Sequence, residues 1–195
     1  MIRIGGFQPV SLVDFPGRVA SVVFFQGCSF RCPWCHNPSL VHPHLFGETI
    51  PEEIILERLG RRRGKIGGVV VTGGEPTLQS GLPGFLRRVR SLGFAVKLDT
   101  NGAQPEALGR ILSEGLADFV AMDLKAPWER YDEACGMTVD IDAVRASLSM
   151  LRASGVSHHL RTTDWAGFDA SEREAVEAIA AGSPLRWQEF RPPPP

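Results

Sequence analysis

Cys28, Cys32 and Cys35 crowd into one segment, Gly27-Cys28-Ser29-Phe30-Arg31-Cys32-Pro33-Trp34-Cys35-His36-Asn37, while the fourth cysteine, Cys135, lies far away. Thiolates are soft ligands that suit zinc and iron–sulfur clusters. Three on a short loop can hold three irons of a cubane cluster and leave one iron without a protein ligand. Ferredoxin-type electron carriers instead close all four positions with cysteine. An open iron is a place for a substrate to chelate. Other chemistries compete for the same residues. A structural zinc ion needs four ligands in a closed set. His36 is strained as the fourth because it adjoins Cys35, and Cys135 reaches the loop only through a long excursion. Cys32 and Cys35 have the C-x-x-C spacing of a redox pair but lack the surrounding pattern.

Further polar residues follow apolar runs. Thr72-Gly73-Gly74-Glu75-Pro76 offers two glycines that let a ligand approach the backbone and a carboxylate for an ammonium group, although the same residues also make a plain turn. Lys97-Leu98-Asp99-Thr100-Asn101-Gly102 supplies oxygen ligands before an Asn-Gly turn. In Met122-Asp123-Leu124-Lys125, strand alternation puts Asp123 and Lys125 on one face. An exposed ion pair of little energetic worth is the plainer reading. Arg161 and Thr162 follow His158 and His159, one of which must face inward as a core histidine. Cys135 reads as a small buried residue.

Elements of two kinds position these groups. Val19–Phe25, Gly68–Thr72, Phe94–Leu98, Asp118–Asp123, Val156–Thr162 and Leu185–Phe190 are strand candidates, and their continuous apolar runs fit a sheet covered on both faces. Between them, helical spacing marks Thr49–Gly60, with Thr49 and Glu52 as a capping box, and a helix from Leu82 closed by Gly93. Others run from Pro105 to Gly115, over Ile141–Leu151, and beyond a cap at Ser171 and Glu174. Six strands alternating with five helices predict repeated βαβ units and a parallel sheet. Every candidate group then lies past the C-terminal end of a strand, on the face where parallel β/α folds carry their sites.

The chain has 195 residues, 43% hydrophobic and 22% charged, with net charge −1. That composition argues against a disordered or membrane protein, and the charge gives no overall basic field for nucleic acid. No apolar run is long enough to span a bilayer, and the N-terminus lacks a signal-type core, so a cytoplasmic location is expected. Among the cations, 18 Arg stand against Lys65, Lys97 and Lys125 alone. The basic run Arg58–Arg63 reads as a solvated helix end. A complete eight-fold barrel needs ~250 residues. At ~30 residues per βα unit, this chain supplies about six.

The C-x3-C-x2-C loop with Trp34 before its last cysteine resembles the radical S-adenosylmethionine (SAM) superfamily. The resemblance implies an α/β fold, a partial (β/α)6 barrel of parallel strands of the radical-SAM type. One domain would cover residues 1–190, with a Pro-rich tail over 191–195. It implies that Cys28, Cys32 and Cys35 hold a 4Fe–4S cluster whose open iron binds the amine and carboxylate of SAM. The implied cofactor-binding residues are Trp34, Cys35, His36, Gly73, Gly74, Glu75, Asp99, Thr100, Asn101, Asp123, Lys125 and Arg161. Gly73-Gly74-Glu75 looks like the motif that holds the methionyl amine. Lys125 matches a D-x-K lysine that meets the methionyl carboxylate. Asp99 and Thr100 match a site for a monovalent cation or for cofactor orientation.

The opening SLVDFPGR and the FFQGC that leads into the loop look like the activating branch for glycyl radical enzymes. Within it, CPWCHNP, TGGEPT, DTNG, DLKAP and QEFRP look most like activators of anaerobic ribonucleotide reductase. The branch implies a glycyl radical enzyme as partner, here anaerobic ribonucleotide reductase, and a flavodoxin- or ferredoxin-like electron donor. It implies no nucleic acid and no membrane. His36–Thr72 contains no cysteine, so a single cluster is expected. Two alternatives stand beside this reading. One is a radical SAM enzyme acting on a small molecule, similar to 7-carboxy-7-deazaguanine synthases. The other is a non-catalytic iron–sulfur or zinc module.

Overall fold

In the computed structural model, which describes residues 2–192, the apolar runs form one seven-stranded sheet whose strands lie in chain order. They are β1 (Ile4–Phe15), β2 (Arg18–Phe25), β3 (Gly68–Gly73), β4 (Ala95–Thr100), β5 (Phe119–Asp123), β6 (Ser157–Thr163) and β7 (Leu185–Gln188). β2 through β7 are parallel throughout, which gives the six-stranded partial barrel. β1 and β7 are the two edges of the sheet.

β1 is an addition to the six expected strands, and it runs antiparallel to β2. Its sequence, IGGFQPVSLVDF, has two glycines and a proline and no clean alternation, so it carries no strand signal of its own. The pairing has three register shifts. The turn at Pro16 and Gly17, with Gly17 at φ 71°, returns the chain to β2.

The helices are α1 (Pro38–Val41), α2 (Glu52–Gly60), α3 (Leu82–Ser91), α4 (Pro105–Ser113), α5 (Tyr131–Cys135), α6 (Ile141–Ala153) and α7 (Ala170–Ala180). Two caps differ from expectation. Thr49 and Glu52 form no capping box, because Ile50 precedes Pro51 and is drawn into an extended bridge with Ile4. Ser171 and Glu174 do not cap α7. Its box is Asp169 with Glu172, each accepting the other's backbone N–H at 2.9 Å. The last strand stops at Gln188 rather than Phe190. Residues 193–195 of the expected tail lie outside the described residues.

Period-two alternation sorts the strand residues. Val23, Phe25, Val69, Val71, Val96, Leu98, Val120, Met122 and Leu160 pack outward with α2–α7 residues such as Leu59, Phe85, Leu108, Leu148 and Val176. The opposite, concave face begins with a small apolar floor of Phe15, Ala20, Val22 and Val70. Above that floor it becomes polar. Among the described residues, no helix is long and apolar enough to cross a membrane.

Candidate functional site

The cysteine loop leaves β2 at Gly27, whose φ of 98° only glycine adopts readily. Phe30 is buried and anchors the loop in the helix-side core. Arg31 donates to the carbonyls of Cys28 and Phe30, both at 2.7 Å. The backbone N–H of Phe30 donates to Cys28 Sγ at 3.3 Å, and that of Asn37 to Cys35 Sγ at 3.4 Å. Asn101 Nδ2 approaches Cys28 Sγ at 3.7 Å. The three loop cysteines are half-buried and free.

α5 grips this loop from the far side. Arg31 N–H donates to Cys135 O at 2.8 Å, and Trp34 Nε1 donates to Ala134 O at 3.0 Å. Cys135 is buried, as expected, but it also touches the cluster loop, because its thiol donates to Cys32 Sγ. That bond is the largest influence bringing Cys32 down to about 7. Burial pushes Cys28 up to about 12, and it raises Cys35 as well. No local pattern signals that residues a hundred apart meet here.

Gly73 and Gly74 line the cavity, and close protein backbone independently requires a glycine at both. A Cβ on Gly73 would sit 2.5 Å from Phe25 N, and one on Gly74 would sit 2.1 Å from Gly27 O. Glu75 is buried. Its Oε1 accepts from Thr77 N at 3.1 Å, from Thr77 Oγ1, and from Thr100 Oγ1 at 2.8 Å, while Oε2 accepts from Asn101 N at 2.7 Å. Burial raises its pKa, and these four bonds oppose the rise. Glu75 thus ties the β3 and β4 loops together.

Beside it runs a ladder of alternating charge. Lys97 Nζ meets Asp99 Oδ1, and Asp99 Oδ2 accepts from Arg161 Nη1 at 3.0 Å. Arg161 Nε donates to Asp123 Oδ1 at 2.8 Å, and Asp123 Oδ2 pairs with Lys125 Nζ at 2.8 Å. The register Asp123↔Arg161 brings two of these groups side by side. Burial pushes the Asp123 carboxyl up, but the charges of Arg161 and Lys125 win and bring it to about 2. Lys125 Nζ also lies 5.0 Å over the Trp34 ring, which stacks on Trp165 with ring centroids 6.2 Å apart.

These groups line one cavity of about 450 Å³ at the C-terminal ends of the parallel strands. Of the fourteen sequence-derived site positions, all but Cys32 are on its wall, including Trp34, Cys35, His36, Thr100 and Asn101. Thr162 is not. It is buried on the other face, and its Oγ1 has no partner. His159 is the inward histidine, with Nδ1 unpartnered, whereas His158 bonds Val156 O and Ser183 Oγ. Asp14, Thr163 and Gln188 also line the cavity and were not expected there. Asp14 arrives through a local turn in which Ser11 Oγ accepts from the N–H groups of Val13 and Asp14 at 3.2 Å. The thiols suit a cluster, and the polar wall with its ladder of alternating charge suits the zwitterionic end of SAM. Asp99, by contrast, already faces two cations, Lys97 at one oxygen and Arg161 at the other, so the expected monovalent cation would meet like charge there.

Comparison with known proteins bears on this arrangement. The model of the radical SAM superfamily matches residues 22–179. A Methanocaldococcus jannaschii protein described as a glycyl-radical enzyme activating enzyme is 35% identical over 133 residues, 67% of this chain and 53% of its own length. The pyruvate formate-lyase-activating enzyme of Clostridium pasteurianum is 36% identical over 132 residues, 64% of this chain and 53% of its own. A 7-carboxy-7-deazaguanine synthase of Methanopyrus kandleri is 32% identical over 132 residues, 58% of this chain and 52% of its own. The chain therefore spans about half the length of the curated relatives it matches. The structure of anSMEcpe with bound AdoMet superposes with a TM-score of 0.68 at 15% identity, covering 86% of this chain and 50% of that one, which speaks to the fold. Cluster loop, strand-end cavity and family match agree: this chain belongs to the radical SAM superfamily.

Proposed function

We propose that this protein is a radical SAM activating enzyme that places a glycyl radical on a partner enzyme, anaerobic ribonucleotide reductase. The observation that carries the reading is the cavity itself. It gathers thiols and a ladder of alternating charge at the ends of six parallel strands, and its wall reaches from Asp14 on β1 to Gln188 on β7, the two edges of the open sheet. A flexible loop of a protein substrate can enter through such an opening. The relatives described as activating enzymes support the glycyl-radical activating part of this reading.

Cys28, Cys32 and Cys35 hold a 4Fe–4S cluster which, when bound, supplies one electron from a flavodoxin- or ferredoxin-like donor to cleave SAM into methionine and a 5′-deoxyadenosyl radical. The chain's own residues bind and orient. Lys125 and Arg161 offer positive charge to the methionyl carboxylate. Gly73, Gly74 and Glu75 shape the wall that takes the amine. Trp34 and Trp165 exclude water beside Lys125. No acid–base residue is required, because the step transfers a hydrogen atom.

The test is anaerobic reconstitution with iron and sulfide, then reduction with SAM present. 5′-Deoxyadenosine is the expected product, and Cys32→Ala abolishes it. No product from the native protein would sink every radical reading. Mixing with a candidate reductase should then give a glycyl radical by electron paramagnetic resonance. A second reading, synthesis on a small deazapurine-type molecule, is favoured by the 7-carboxy-7-deazaguanine synthase relative. It predicts 5′-deoxyadenosine turnover with no glycyl radical.

A further inference from the structure

The array beside the cavity has three full cations, Lys97, Arg161 and Lys125, against two carboxylates, Asp99 and Asp123. Each Asp99 oxygen already faces a cation, and so does each Asp123 oxygen. Thr100 Oγ1 donates to Glu75 at 2.8 Å and accepts from Gly102 N at 3.1 Å. Lys97 is only 3% exposed and sits on the inner face one alternation below Asp99. A buried ammonium persists only where it is paired, and here Asp99 pairs it. A metal cation at Asp99 would share the carboxylate with Lys97 and Arg161 and sit against their like charge.

We propose that Lys97 is a built-in cation: its ammonium stands beside Asp99 where a monovalent metal ion would, and the site works without one. Lys97 is a positioning residue. It lies behind Asp99, outside the cavity wall, and holds that carboxylate where it clamps Arg161. On the cavity wall Lys125 and Arg161 stand among carboxylates, and Lys97 adds the third positive charge of the ladder from behind. The SAM-binding part of this inference rests on the proposed function, and the cation part does not.

The experiment has two arms, both at fixed ionic strength with potassium, sodium or tetramethylammonium chloride. In the first, the cluster-reconstituted protein is melted without SAM, since a cation that binds only the folded state raises Tm. The native protein should show one Tm in all three salts, and Lys97→Met should gain a Tm rise specific to potassium or sodium. In the second, SAM affinity is measured by equilibrium dialysis. The native value should be independent of the salt. Lys97→Met should bind ~10-fold more weakly in tetramethylammonium and recover in potassium or sodium. A potassium- or sodium-dependent rise in Tm or affinity of the native protein overturns the proposal, whether or not the variant folds. So does a folded Lys97→Met that responds to no salt. If SAM fails to bind in every salt, the functional reading falls, and the melting arm still decides the role of Lys97.

Discussion

Gly74→Ala tests the close backbone approach on which the site is built. An alanine Cβ would sit 2.1 Å from Gly27 O, 2.7 Å from Gly27 C and 3.1 Å from Leu40 O. Relaxed C···O contacts lie near ~3.3–3.6 Å, so the β3 loop must move away from the cluster loop by more than ~1 Å. All three neighbours are backbone atoms, and no side-chain rotation relieves the clash. The bond most exposed to that movement is Glu75 N–H to Gly27 O, at 2.7 Å. Overpacking costs ~1–3 kcal/mol and a lost hydrogen bond ~1 kcal/mol, which together give ~2–4 kcal/mol. With a urea slope near ~2.5 kcal/mol/M, the unfolding midpoint should fall by ~0.8–1.6 M. Iron and sulfide content after reconstitution should fall with it, because Gly27 adjoins Cys28. Gly84→Ala is the control. It lies in α3 with nothing within 4 Å of the added Cβ, so it should stabilise by ~0.5–1 kcal/mol. A Gly74→Ala protein with native midpoint and native iron content would refute the steric argument.

Gly136→Ala puts a side chain at φ 65° and 2.2 Å from Arg31 O, so it should cost ~2–4 kcal/mol and loosen the cluster loop, read by urea unfolding and iron content. Cys135→Ala should keep full iron content while Cys32→Ala loses it; equal loss in both would make Cys135 a ligand and revive a closed four-cysteine site. Asp123, held at about 2, stabilises the fold above its unfolded value near ~3.9, and that contribution disappears as pH falls through ~4 to ~2. The native-minus-Asp123→Asn difference in urea midpoint should therefore be constant above pH ~4.5 and shrink below it. A difference independent of pH would contradict the ion-pair account.

What was legible in the sequence was whatever is local. The cysteine spacing, the six parallel strands and the turns that follow them depend on neighbours a few residues apart. β1 was invisible because its stability comes from pairing with β2, through a register interrupted three times, and not from its own composition. Cys135 and α5 met the cluster loop through contacts of about a hundred residues in separation, which no periodicity reports. Lys97 is a different case. Its signal was present, since two steps along a strand from Asp99 means the same face, but a lysine in an apolar run reads as an edge residue until its partner is known.

The same alternation explains why the site sits where it does. Moving up the inner face, Val70 gives way to Thr72, Lys97 to Asp99, Ala121 to Asp123, and His159 to Arg161. Three of these steps raise polarity toward the C-terminal strand ends and the step from Lys97 to Asp99 keeps a charge, while the intervening residues, Val71, Leu98, Met122 and Leu160, stay apolar for the helices. The charge ladder is therefore fixed by the sheet register and not by loop conformation. A slip of one residue in β5 or β6 would exchange Asp123 or Arg161 for a core side chain and bury a charge against the helices. The helix-side core thus holds the site in place: it penalises the one backbone movement that would take the ladder apart.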